Sequence, residues 1–153
     1  YCLSFGKFGS FYSKSSKQKL VATSSTHAEI RALYTLVLDI IYIVHLCEEV
    51  GRPIDLPAIV FEDNQPVIDL TKTLSSKITR SKHFLMLIEF IREQVVEGLI
   101  ELHKIPTESN TADLLTKLIV GKTFTIKAMH LLGEMGMSLN VNESFNELNY
   151  EKD

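Results

Sequence analysis

The stretch from residue 26 to residue 51 constrains this fold more than any other part of the chain. Thr26-His-Ala-Glu29 has the form of a helix capping box, in which a hydroxyl and a carboxylate answer each other's backbone N–H groups. Ile30, Leu33, Val37, Ile40, Ile41, Val44 and Cys47 then recur at helical spacing, and Gly51 supplies a stop. The face they form must be buried against other elements. Within this helix the apolar stretch 32–47 is interrupted by Asp39 and His45 and is short for a membrane span, so no membrane partner is expected.

Around that helix the chain alternates between strand and helix patterns. Residues 1–12 read as a hairpin, with Gly6 and Gly9 in the turn, and residues 20–23 as a short strand. Residues 58–61 form an apolar run of the kind found in buried strands. Glu62-Asp-Asn-Gln-Pro66 is a strand-to-helix turn, with proline near the first helical position of a short helix that runs to Lys72. Residues 73–82 are a polar, basic loop. Residues 82–97 form a second long helix with Phe84, Ile88, Ile91 and Val95 on one face, and residues 99–103 alternate as a strand. A turn at 106–110, a helix opening at 111–117 and a terminal helix at 122–135 complete a mixed order of strands and helices with long crossovers. That order predicts one mixed α/β domain over residues 1–137, followed by a polar tail, 138–153, expected to be disordered.

Composition agrees with one globular domain: 153 residues, 45% hydrophobic and 23% charged. A formal net charge of −3 excludes histone-like binding, but the charge is uneven. Residues 1–31 carry five basic side chains against one acid, and residues 134–153 carry five acids against one lysine. A polyanionic partner for the front of the chain therefore stays open. Cys2 and Cys47 lack disulfide or metal spacing and read as free thiols of a reducing compartment.

Three acids occupy the ends of elements. Glu29 lies at the start of the long helix, Asp63 at the end of the 58–61 strand, and Asp113 in the first turn of the late helix. Singly, each has an ordinary structural explanation: a capping box, an Asx turn, a helix-dipole partner. Together they suggest a site, because open α/β sheets build sites beyond the carboxyl ends of their strands. Converging carboxylates repel unless a cation neutralises them. Two divalent ions so held can activate a water and stabilise the leaving oxygen in phosphodiester cleavage.

Five segments sharpen this reading: SSKQKLVATSSTHAE (15–29), EDNQ (62–65), TRSKH (79–83), FIRE (90–93) and IPTESNTADLLTK (105–117). In this order they resemble the ribonuclease H domain at the end of the pol polyprotein of copia-type LTR retrotransposons. The resemblance covers residues 1–136. It implies a ribonuclease H-like mixed sheet flanked by helices, and cleavage of the RNA strand of an RNA–DNA hybrid during reverse transcription. Carried over by motif, Glu29, Asp63 and Asp113 become the catalytic and metal-binding residues for two Mg²⁺ or Mn²⁺ ions. Lys14, Lys17, Lys19, Lys77, Arg80, Lys82 and His83 become candidates for gripping the hybrid, where backbone phosphates supply most of the affinity. The partners implied are the hybrid and the reverse transcriptase domain of the same polyprotein, in the cytoplasm or a virus-like particle there.

The family pattern also has a central first strand carrying a further acid, ahead of the segment that matches Tyr1. Without it the expected sheet has an unfilled slot between the opening hairpin and residues 58–61, and two facing strand edges are costly to leave unpaired. The chain is therefore expected to belong to a longer product and to be inactive alone. The competing expectation is a catalytically inactive transposon remnant that at most binds nucleic acid or protein. A DNA-cutting nuclease or integrase with a similar carboxylate site is disfavoured by the DNQ and ADLLTK segments.

Overall fold

A computed structural model describes residues 1–6, 8–16, 25–72 and 82–133. The expected strand at 20–23, nearly all of the 73–82 loop and the 138–153 tail lie outside the described residues, as do Lys17, Lys19, Lys77 and Arg80.

The chain opens with the expected hairpin. β1 (Cys2–Ser4) and β2 (Ser10–Ser13) pair antiparallel, with a register shift between Leu3 and Ser4. Gly9 sits in the left-handed region, and a Cβ there would lie 2.4 Å from the Gly133 nitrogen, so only glycine allows this close approach of two backbones. Helix α1 (Ser25–Glu49) follows. Ser25 is already helical, so Thr26 falls inside the helix and not at the cap position expected for it. Ile30, Leu33, Leu36, Val37, Ile40 and Val44 form its buried face, close to the stripe read from the sequence. At 25 residues α1 is long and apolar enough to cross a membrane, but that buried face belongs to the core of the domain.

Strand β3 (Ala58–Glu62) leads through α2 (Gln65–Lys72) and α3 (Lys82–Val96) to β4 (Ile100–Lys104). β3 and β4 pair in parallel without interruption, from Ala58 opposite Ile100 to Glu62 opposite Lys104. A parallel pair needs a crossover, and the two helices supply it. Val60, Ile100 and Leu102 face a core shared with α1, with Val67 of α2 and with Phe84, Leu87, Ile88 and Ile91 of α3. Arg92 joins the two crossover helices: its Nε and Nη2 donate to the carbonyls of Thr71 (3.1 Å) and Leu70 (2.9 Å) in the last turn of α2.

Two expectations are corrected. Residues 58–61 do not form a strand buried on both faces, because Ile59 and Phe61 are 39% and 40% exposed. β3 is covered on one side only. The segment expected to open an α-helix at 111–117 is instead a 3₁₀ turn over Thr111–Leu115, preceded by another over Thr107–Ser109. Asn110 fixes the second turn by accepting the Ala112 N–H through its side chain at 3.1 Å. Helix α4 (Lys122–Leu132) then ends at Gly133. Among the described residues the strands form two separate two-stranded sheets, with no pairing between β1–β2 and β3–β4. The domain is mixed α/β, with four α-helices and two small sheets among the described residues.

Candidate active site

The carboxyl end of β3 collects acidic side chains. Period-2 alternation carries Glu62 to the same face as Val60, and it is 8% exposed. Its carboxylate accepts the Asn64 N–H at 2.9 Å. Burial, reinforced by the charges of Glu29 and Asp63 and opposed by that hydrogen bond, pushes its pKa up to about 7. Asp63 follows at the strand exit, its carbonyl accepting from Lys104 Nζ. Beside it the buried Oδ1 of Asn64 has no hydrogen-bond partner among the described residues.

Glu29 approaches from the first turns of α1. Its pKa is raised first by burial and then by the negative charges of Asp63 and Asp113, with Lys117 acting in the opposite direction. The three acids singled out in the sequence therefore share one electrostatic neighbourhood, although they come from a helix, a strand end and a 3₁₀ turn. Asp113 is 8% exposed. Its backbone is anchored through the N–H bond to the Asn110 carbonyl (3.3 Å) and by accepting the N–H of Lys117 at 2.8 Å.

Cations already occupy the third acid. Asp113 Oδ1 pairs with Lys117 Nζ at 2.7 Å, and Oδ2 with Lys127 Nζ at 3.2 Å. Lys127 is buried, and its ammonium also donates to the carbonyls of Asn110 (2.7 Å) and Thr107 (3.2 Å). Among the described residues no group of three or more His, Cys, Asp or Glu side chains stands close enough to hold a metal ion. The donor set therefore does not fit the two-ion arrangement that the motifs imply, and Asp113 is engaged by lysine on both oxygens.

Of the candidate nucleic-acid residues, Lys14 is drawn into an ion pair with Asp39 of α1 at 3.3 Å. Burial pushes the Asp39 carboxyl up, but hydrogen bonds from Tyr1 and Lys14 outweigh it and hold the pKa below the usual range. Lys82 and His83 are exposed at the start of α3. Ser15 donates to the Leu115 carbonyl at 3.0 Å, tying the segment after the hairpin to the turn that carries Asp113.

Sequence reasoning passed over Glu62, Lys117 and Lys127. Strand alternation with Val60 was a usable signal for Glu62, and Lys117 lay within the ADLLTK segment. Lys127 gave none, because a lysine in an amphipathic helix ordinarily reaches solvent.

These residues define a mixed α/β domain with a cluster of acids where a parallel strand pair ends. Its relatives are retrotransposon Pol polyproteins. The chain is 34% identical over 113 residues to the retrovirus-related Pol polyprotein from transposon TNT 1-94 of Nicotiana tabacum, covering 74% of this chain and 8% of that protein. It is 32% identical over 105 residues to the Pol polyprotein from transposon RE2 of Arabidopsis thaliana, covering 67% of this chain and 7% of that one. Against the Ty1-NL2 Gag-Pol polyprotein of Saccharomyces cerevisiae it is 27% identical over 113 residues, covering 74% of this chain and 6% of the polyprotein. The chain thus spans less than a tenth of the length of these relatives. No protein-family model matches it, and no solved structure matches it significantly.

Proposed function

We propose that this chain is part of a copia-type ribonuclease H domain whose complete form cuts the RNA strand of RNA–DNA hybrids during reverse transcription. The observation that carries this reading is the shared electrostatic neighbourhood of Glu29, Asp63 and Asp113 at the end of β3. The order of the quoted segments and the kinship with Pol polyproteins support it. In this reading Mg²⁺ or Mn²⁺ is the cofactor of the complete domain. The hybrid and the polyprotein's reverse transcriptase domain are its partners, and the cytoplasm or a virus-like particle is its setting. No membrane enters the proposal. Exposed Lys82 and His83 contact hybrid phosphates together with Lys17, Lys19, Lys77 and Arg80. Lys14 joins them only on leaving Asp39.

The test is a hybrid-cleavage assay on a chain extended upstream with the preceding strand of the tobacco relative. Mg²⁺-dependent cleavage is expected there and not in the unextended chain. Asp63→Asn abolishes it while hybrid binding persists. Equal cleavage by the variant and its parent removes Asp63 from the mechanism.

A second reading, a catalytically inactive remnant that binds nucleic acid or protein, is favoured by the two lysines that pair with both oxygens of Asp113. Binding without cleavage by the extended chain selects it.

A further inference from the structure

The opening hairpin turns aromatic rings toward solvent, where a soluble domain ordinarily keeps them few. Phe8 is 76% exposed beside the turn, and Phe5 and Phe11 stack nearly parallel, at 11°, with both still exposed. The strand register explains how two consecutive residues come to share one side. Leu3 stands opposite Tyr12 and Ser4 opposite Ser10, so Phe11 is an extra residue without a partner. A bulge of this kind breaks the alternation of faces and re-aims a side chain. Phe11 and Tyr12 therefore both line one hollow of 330 Å³, bordered from α1 by Asp39, Ile43 and the exposed ring of Tyr42. That volume falls within the range of ligand sites. Asp39 is the one acid among the lining residues, and Lys14 and the Tyr1 hydroxyl both donate to its Oδ2. The hollow thus offers rings and little net charge, within a front segment, residues 1–31, whose five basic side chains outweigh one acid. Open ring faces in a positive field suit an unpaired base, whose own face stacks while its phosphate answers the field. Bases inside a duplex have both faces occupied and cannot use them.

We propose that this aromatic surface binds single-stranded nucleic acid, with unpaired bases stacked on Phe8, Phe11 and Tyr42 and the strand's phosphates drawn by the basic front segment. It shares no residue with the acid cluster at the end of β3 and needs neither metal nor cleavage. The inference goes beyond the ribonuclease reading, because the ligand is an unpaired strand and not the hybrid.

The experiment uses the chain as it stands, titrated against a fluorescein-labelled oligo-dT of about 12 nucleotides and read by anisotropy, with an RNA–DNA hybrid of equal length beside it. F8A and F11A are each expected to weaken oligo-dT binding roughly fivefold to a hundredfold, the scale of one base stacked on one ring. F11L, which keeps apolar bulk without a ring face, loses as much, and F11Y binds as the parent does. Affinity for the hybrid is unchanged in all four. The chain contains no tryptophan, so F11W places a single reporter at the hollow, and oligo-dT should quench its emission. Melting temperatures check that each variant folds; should F11A fail, F8A and F11L decide. Parent-like oligo-dT binding by F8A and F11A, parent-like binding by F11L, or no saturable binding by the parent overturns the proposal. So does a sedimentation mass that doubles with concentration and falls back in F8A and F11A, which would assign the rings to a second copy of the chain. Hybrid cleavage by the upstream-extended chain without oligo-dT binding overturns this proposal alone. Oligo-dT binding without hybrid cleavage overturns the ribonuclease reading and leaves this one standing.

Discussion

The two small sheets reach order by opposite routes. The β1–β2 hairpin is local: a short turn brings its strands together, and only Tyr1 and Leu3 press against the core. Its other aromatics stay outside, Phe5 and Phe11 stacking on each other with centroids 4.5 Å apart. The β3–β4 pair is remote in sequence and exists because α2 and α3 carry the chain from one strand to the other and bury one face. Hairpin residues should therefore tolerate substitution that the crossover residues will not. The acids belong to the second region and to the turns packed beside it, where burial makes their charge costly.

The contrast can be broken at several points. Ile91, fully buried on α3, should cost about 2–5 kcal/mol when cut to alanine, whereas Phe11→Ala in the hairpin should leave the melting temperature nearly unchanged. Equal losses in urea denaturation would mean that the hairpin is part of the core.

Glu62 offers a pH test of the crossover region. The unfolded chain releases this proton near the ordinary glutamate value of 4.5, while the folded chain keeps it until about 7. Between those values the folded state binds more protons, so stability falls as pH rises and levels off above 7. Glu62→Gln should remove this decline, gaining up to roughly 3 kcal/mol at pH 8 and little at pH 4. Glu29, raised in the same direction, leaves a residual slope in the variant. A pH-independent gain would show that the side chain's volume, not its charge, sets the difference.

Gly9→Ala should be intermediate, costing on the order of 1–2 kcal/mol, because the new Cβ meets backbone at Gly133 and Leu132 where no side chain can swing away. The smallest effect belongs to Lys14→Gln. Loss of its half-buried pair with Asp39 should give a small shift in melting temperature that shrinks in high salt.

These differences also mark what the sequence made legible. α1 and α3 are long enough for the period of their apolar residues to speak for them, and the period-2 pattern of β4 survives because one of its faces is wet. The 58–61 run is apolar on both sides, so periodicity alone could not reveal that Ile59 and Phe61 are only partly covered. The turn bearing Asp113 is too short to carry a period, and the Asn110 bond that shapes it competes locally with helix. Residues 29, 63 and 113 stood out because each is an acid at an element's end. Of the two lysines paired with Asp113, Lys117 stands four residues on, a spacing that could be read, whereas Lys127 reaches it across a tertiary contact that leaves no spacing in the chain.

The abutment of Gly9 on Gly133 has a kinetic corollary. It closes the widest loop among the described residues, joining the first hairpin to the end of α4, and such a closure gains nothing until most of the chain is already compact. It should form after the folding barrier is crossed. Tightening or loosening that one contact would then change how long the folded chain survives, while the speed at which it folds stays the same.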